Sequence, residues 1–224
     1  NAVVHKLFAA ARRQAADADA AVSRGDDLPP LHGVPVSVKD MILTKGVLTT
    51  FGSKLNKNLV PHESAPAVER LEAAGAISVG KTNTPEFGWL GVTHNLLHGP
   101  TRNPWDLRLT PGGSSGGGSA AVVAGMAPLA LGTDAGGSVR IPASLSGCFA
   151  VKANFGRVPV YPFSPAFSLS HVGPMSRTVA DSALMLNVIA GPDDRDPHSL
   201  PVSDVDYLAA LDGDLSGLRV AWSG

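Results

Sequence analysis

The 224 residues are 44% hydrophobic, with 18 basic against 19 acidic side chains and a formal net charge of -1. That much apolar chain can bury a real core, which excludes a disordered tail or a disulfide-stapled miniature. The near-balanced charge gives no support to a nucleic-acid backbone or an anionic membrane surface as the main partner, so small-molecule chemistry is the expectation.

The chain opens Asn1-Ala2-Val3-Val4, with no methionine and no leader pattern, and the natural N-terminus is expected to lie beyond it. From Val3 to Ser23 the residues Val4, Leu7, Phe8, Ala11, Ala15 and Val22 recur at helical spacing, and Gly25 is the stop. Val34, Val36 and Val38 alternate with Pro35 and Ser37, a short strand that delivers Lys39 at its end on the face opposite Val38. Ser64 is placed to cap a helix running to Ala74, with Gly75 as its end and Ala76 to Val79 as the next strand. Thr84-Pro85-Glu86 starts a short helix, and Gly91 to Pro111 is an irregular, functional loop. Ser119 to Ala124 is expected as a helix and Leu129 to Leu131 as a strand. The apolar run from Ala120 to Leu131, broken by Gly125 and Pro128, is well short of the ~20 residues that span a bilayer. Cys148 has no partner for a disulfide within the chain, which fits a reducing, cytoplasmic compartment. Thr178 with Asp181 begins a helix through Ile189 that Gly191 stops, and Leu218 to Trp222 reads as a final strand.

Two clusters concentrate glycine and serine beyond the needs of turns: Gly112 to Ser119, and Gly132-Thr133-Asp134-Ala135-Gly136-Gly137-Ser138. In such runs successive N–H groups can converge on an anionic oxygen, either a phosphate or an oxyanion. Neither cluster continues into the Lys-Ser or Lys-Thr of a P-loop, and no buried strand precedes the first. Gly112-Gly113-Ser114-Ser115-Gly116 also satisfies G-x-S-x-G, with Asp134 and His171 following in order, but Thr110 and Pro111 argue against the strand that a nucleophile elbow needs.

Pro35-Val36-Ser37-Val38-Lys39-Asp40, the run Gly112 to Gly118, and Gly132 through Ser138 to Val139-Arg140-Ile141-Pro142 together resemble the amidase signature family. The similarity extends through Gly80-Lys81-Thr82-Asn83-Thr84-Pro85-Glu86-Phe87, Asn103-Pro104-Trp105 and Gly173-Pro174-Met175, and so covers essentially the whole chain. It implies an α/β fold with a mixed sheet covered by helices on both faces. Residues 1–224 are expected to be one catalytic core, the N-terminal part of a longer chain.

The resemblance further implies a serine amidase. Lys39 is then the general base, Ser114 a bridging serine behind a cis peptide bond after Gly113, and Ser138 the acyl-forming nucleophile. The N–H groups of Ala135, Gly136, Gly137 and Ser138 form the oxyanion hole, Ser115, Asp134 and Arg140 support the loops, and Gly88 and Trp89 line the acyl pocket. Such a base must be neutral, and burial is the means, with Val36, Val38, Met41 and Ile42 as the expected apolar wall.

No cofactor and no metal are expected: His94 and His98 stand four apart but lack the glutamate of a zinc-hydrolase helix. The expected partner is a small-molecule amide, with no direct nucleic acid or membrane partner and a homodimer left open. Two alternatives stand beside this reading, the glutaminase subunit of a tRNA-dependent amidotransferase and a non-catalytic glycine-loop domain that binds an anion or nucleotide. Cys148, in an apolar context without a histidine partner, reads as a small buried residue, and His171-Val172-Gly173-Pro174 as a structural turn.

Overall fold

The computed structural model describes residues 1–163 and 167–221. In chain order the elements are β1 (Val3–Lys6), α1 (Phe8–Arg24), β2 (Pro35–Lys39), α2 (Pro66–Ala73), β3 (Ile77–Thr82), β4 (His94–Asn95), β5 (Gly99–Pro100), α3 (Gly116–Val123), β6 (Leu129–Asp134), α4 (Arg140–Ser146), β7 (Phe149–Ala150), β8 (His171–Ser176) and α5 (Val179–Ile189). Six strands form a sheet in the order β1-β3-β2-β6-β8-β7, while β4 and β5 make a separate small hairpin. β3, β2 and β6 are mutually parallel, and β1, β8 and β7 join antiparallel, so the sheet is mixed.

The two-residue period of the strands divides side chains between two helical layers. Val36 and Val38 of β2 and Leu129 and Leu131 of β6 face one core, shared with Ala67, Val68 and Leu71 of α2 and Met185, Leu186 and Ile189 of α5. Ala130, between the two leucines, packs on the other face with Val122 of α3, Val139 and Met175. Helices thus cover both faces, as expected. Because Val36 and Val38 face the α2/α5 core, Lys39 is sent to the α3 side at the C-terminal end of the parallel strands. In open α/β sheets that end is where sites are built.

Several boundaries differ from the sequence reading, each for a local reason. Val3 to Lys6 pairs with β3 instead of opening α1, because β-branched residues with a sheet edge beside them are held in extended form. α2 starts from Ala65 with Pro66 at its first turn, and the Ser64 hydroxyl accepts from the Lys45 N–H at 2.9 Å instead of capping. α3 starts at Gly116, inside the glycine run, and β6 extends to Asp134. His171 to Pro174 belongs to β8 rather than to a turn, and Phe149–Ala150 adds a short strand at its far side. Residues 218–221 form no strand, and Trp222 lies outside the described residues. The Thr178 cap stands, its side chain accepting from the Asp181 N–H at 3.1 Å.

Candidate active site

Lys39 has 0% exposure, at the end of β2. Its Nζ donates to Ser114 Oγ at 2.7 Å and to Thr133 Oγ1 at 2.8 Å. Burial pushes its pKa from 10.5 down to about 7, against the opposing pull of Asp134. Of the expected apolar wall, Val36, Val38 and Ile42 lie in the α2/α5 core, whereas Met41 packs against Gly88 beside Ser114, and two hydroxyls meet the ammonium on its own side. Thr133 escaped the sequence reading. The available signal was its place five residues before Ser138, at the end of a strand running parallel beside β2.

Ser114 is buried and follows a cis Gly113–Ser114 peptide bond. The glycines before and after it serve close packing. A Cβ on Gly113 would fall within 2.8 Å of three Val92 backbone atoms, and one on Gly117 would overlap the Asn83 backbone. Thr93 bridges the same turn, donating from Oγ1 to Gly112 O at 2.8 Å and accepting from the Gly116 N–H at 3.1 Å. Ser115 ties the two glycine clusters together. Its N–H donates to Ser138 O at 3.0 Å, its hydroxyl donates to Thr133 O at 3.2 Å, and the same oxygen accepts from the Thr133 N–H at 3.3 Å. Those bonds bring the Ser138 main chain alongside the Ser114 turn.

The loop leading to Ser138 is built around the Asp134 carboxylate. Oδ1 accepts from the Gly137 N–H at 2.7 Å, Oδ2 accepts from the Val139 N–H at 3.1 Å, and the Arg140 guanidinium donates to both oxygens at 3.0 Å. Burial alone would raise the pKa of this carboxyl, yet Arg140 and the two N–H groups together hold it well below the usual range. The Gly137 N–H is therefore taken by Asp134, whereas the sequence reading placed it in the oxyanion hole with Ala135, Gly136 and Ser138. Gly136 is exposed, and Ala135 and Ser138 are half-buried. Gly88 borders the site, since a Cβ there would lie 3.4 Å from Ser114 Oγ, and Trp89 is 77% exposed, not core.

A second buried lysine went unnoticed in the sequence. Lys81, also at 0% exposure, donates to the Ile42 carbonyl and to Thr44 Oγ1 at 2.9 Å, and burial lowers its pKa to about 7 against the pull of Asp40. It sits opposite Val38 in the β2–β3 register, so it fastens the chain just after Lys39.

The nucleophile-elbow alternative has no geometry behind it. No strand runs into Gly112, His171 Nδ1 pairs with Leu169 O at 2.8 Å, and Asp134 is spent on its own loop. Burial pushes the Cys148 thiol up to about 11, which leaves it inert near neutral pH.

A buried lysine thus meets a serine behind a cis bond, and the main chain of a second serine in a braced glycine loop lies alongside, the arrangement that the resemblance to the amidase signature family implied. The family model described as Amidase matches residues 1–223, and the chain belongs to this family. It is 47% identical over 224 residues to an acylamidase of Rhodococcus erythropolis, covering all of this chain and 47% of that protein. It is 48% identical over 220 residues to one of the subunits of the glutamyl-tRNA(Gln) amidotransferase of Chloroflexus aggregans, covering 98% of this chain and 45% of the relative. The solved structure of 6-aminohexanoate cyclic dimer hydrolase superposes with a TM-score of 0.88 at 36% identity, over 98% of this chain and 45% of that one. The chain thus spans about half the length of the relatives it matches.

Proposed function

We propose that this chain carries the catalytic centre of an amide hydrolase working through a seryl acyl-enzyme. The observation that carries the reading is the buried Lys39 Nζ, 2.7 Å from Ser114 Oγ, with a pKa near 7. Neutral Lys39 takes the Ser114 proton as Ser114 takes that of Ser138, and Ser138 Oγ adds to the amide carbonyl. The N–H groups of Ala135, Gly136 and Ser138 receive the oxyanion, a lost donor in such holes costing about 3–4 kcal/mol. On collapse the relay runs backwards and protonates the departing nitrogen, because an amine anion is too poor a leaving group to go alone. Water entering by the same route releases the acid and restores Ser138. Asp134 and Arg140 act by holding the loop, and Gly88 and Trp89 border the acyl group.

A small amide is the substrate class, with the acylamidase and the dimer hydrolase among the similar proteins in its favour. The likeness to the amidotransferase relative supports a second reading, release of ammonia from glutamine for a partner. Assaying the protein on aryl, aliphatic and primary amides, glutamine included, tests both. Turnover that vanishes in Ser138→Ala is expected. Turnover undiminished in that variant contradicts the proposal, and a rate on glutamine above that on all other amides would favour the second reading.

A further inference from the structure

We infer that His5, Asp40 and His98 form a binding site for a divalent transition-metal ion, with zinc or cobalt the ions its donor chemistry suits. Three elements meet there: His5 on the edge strand β1, Asp40 directly after β2, and His98 in the turn between β4 and β5. One ligand atom from each, the two imidazole nitrogens and a carboxylate oxygen, lie within 4.8 Å of one another. His5 Nε2 stands 3.6 Å from Asp40 Oδ2. In a tetrahedral site with bonds of about 2.0–2.1 Å, neighbouring donors are about 3.4 Å apart, so the first pair is already at metal spacing and His98 has only a small swing to make.

Two observations favour a cation over a plain packing cluster. The Nε2 atoms of both histidines are buried without a hydrogen-bond partner, a cost that protein interiors rarely leave uncompensated. The rings of His5 and His98 also meet edge to face, with centroids 5.0 Å apart, which sets their nitrogens side by side at one point. Asp40 is fixed independently, accepting from the Thr50 N–H at 3.1 and 3.2 Å and from its hydroxyl. The main chain of His98 is anchored too, its backbone N–H donating to Asn95 Oδ1 at 2.8 Å. Two imidazoles and one carboxylate leave a fourth position for water and suit a borderline metal better than calcium or magnesium.

The ion acts as a clasp. It joins β1 and the residue after Lys39 to the loop whose Thr93 and Val92 pack against the Ser114 turn, and it takes no part in the acyl chemistry. The exposed His94, the neighbour that the sequence pairs with His98, supplies no donor.

The test is titration of the metal-stripped protein with Co2+, read by the visible d–d absorption, with Zn2+ competition and folding followed by circular dichroism. One equivalent should bind with a tetrahedral or five-coordinate spectrum and raise Tm. His98→Asn and His5→Asn should each weaken binding by at least about tenfold, whereas His94→Asn should bind as the wild type does. If either ligand variant does not fold, the other carries the comparison. Absence of stoichiometric binding at 100-fold molar excess, or affinity unchanged in a folded His5 or His98 variant, overturns the site. These readouts do not involve amide turnover, so the outcome is separate from that of the proposed hydrolase.

Discussion

At Lys39 charge and burial oppose each other sharply. Lowering its pKa from 10.5 to about 7 corresponds to about 5 kcal/mol of lost charge stabilisation. Its amine is then mostly neutral above pH 7 and mostly protonated below it. We expect kcat/KM for an amide to rise with pH through an apparent pKa near 7, and a flat profile from pH 5 to 9 would remove Lys39 from the base role. At Asp134 position matters more than titration. Asp134→Ala strips the Gly137 and Val139 N–H groups and Arg140 of their acceptor, which should cost about 1–3 kcal/mol of stability for the unpaired groups. If the loop is the oxyanion site we propose, loosening it should also lower kcat about a hundredfold, with a smaller change in KM. A variant with normal kcat would show the loop to be held by other means.

At the level of elements, the glycine run at the start of α3 exists because the helix start is driven against neighbouring backbone. Gly117→Ala puts a methyl group onto Asn83 and should cost about 1–3 kcal/mol, a fall in Tm of about 5 °C measurable by calorimetry. An unchanged Tm would mean that the β3 end yields easily. By composition alone these glycines read as an anion cradle or a flexible turn, since close approach between Gly117 and Asn83 is a tertiary fact with no local signature. β2 was legible because valine alternation and a lysine at its end are local. β1 was not, because helical spacing of Val4 and Leu7 continued a true helix and only pairing with β3 decides otherwise. Lys39, Ser114 and Ser138 came from motif order, whereas Thr133 and Lys81 required the strand register that sets them beside Lys39 and after it.

For the whole molecule, two fully buried lysines with pKa values near 7 link stability to pH. Between pH 7 and 10.5 the unfolded chain holds more protons than the folded one, so stability rises with pH across that window. Below pH 7 both states are protonated and these groups add no slope. Urea unfolding at pH 7, 8, 9 and 10 should show the rise, and Lys39→Met should flatten part of it. An identical slope in the variant would mean that Lys39 is not titrating in the fold. The mixed sheet with helices on both faces was expected from the family resemblance, while the separation into an α2/α5 core and an α3 layer emerges only from strand alternation taken with topology.

Acylation of Ser138 through Ser114 and Lys39 is the step on which the proposed activity turns. Intact-mass and peptide mass spectrometry after exposure to a fluorophosphonate or a slowly deacylating amide tests it most directly. One adduct is expected, on Ser138, lost in Ser138→Ala and strongly slowed in Lys39→Ala. An adduct on Ser114 that depends on His171 would contradict it.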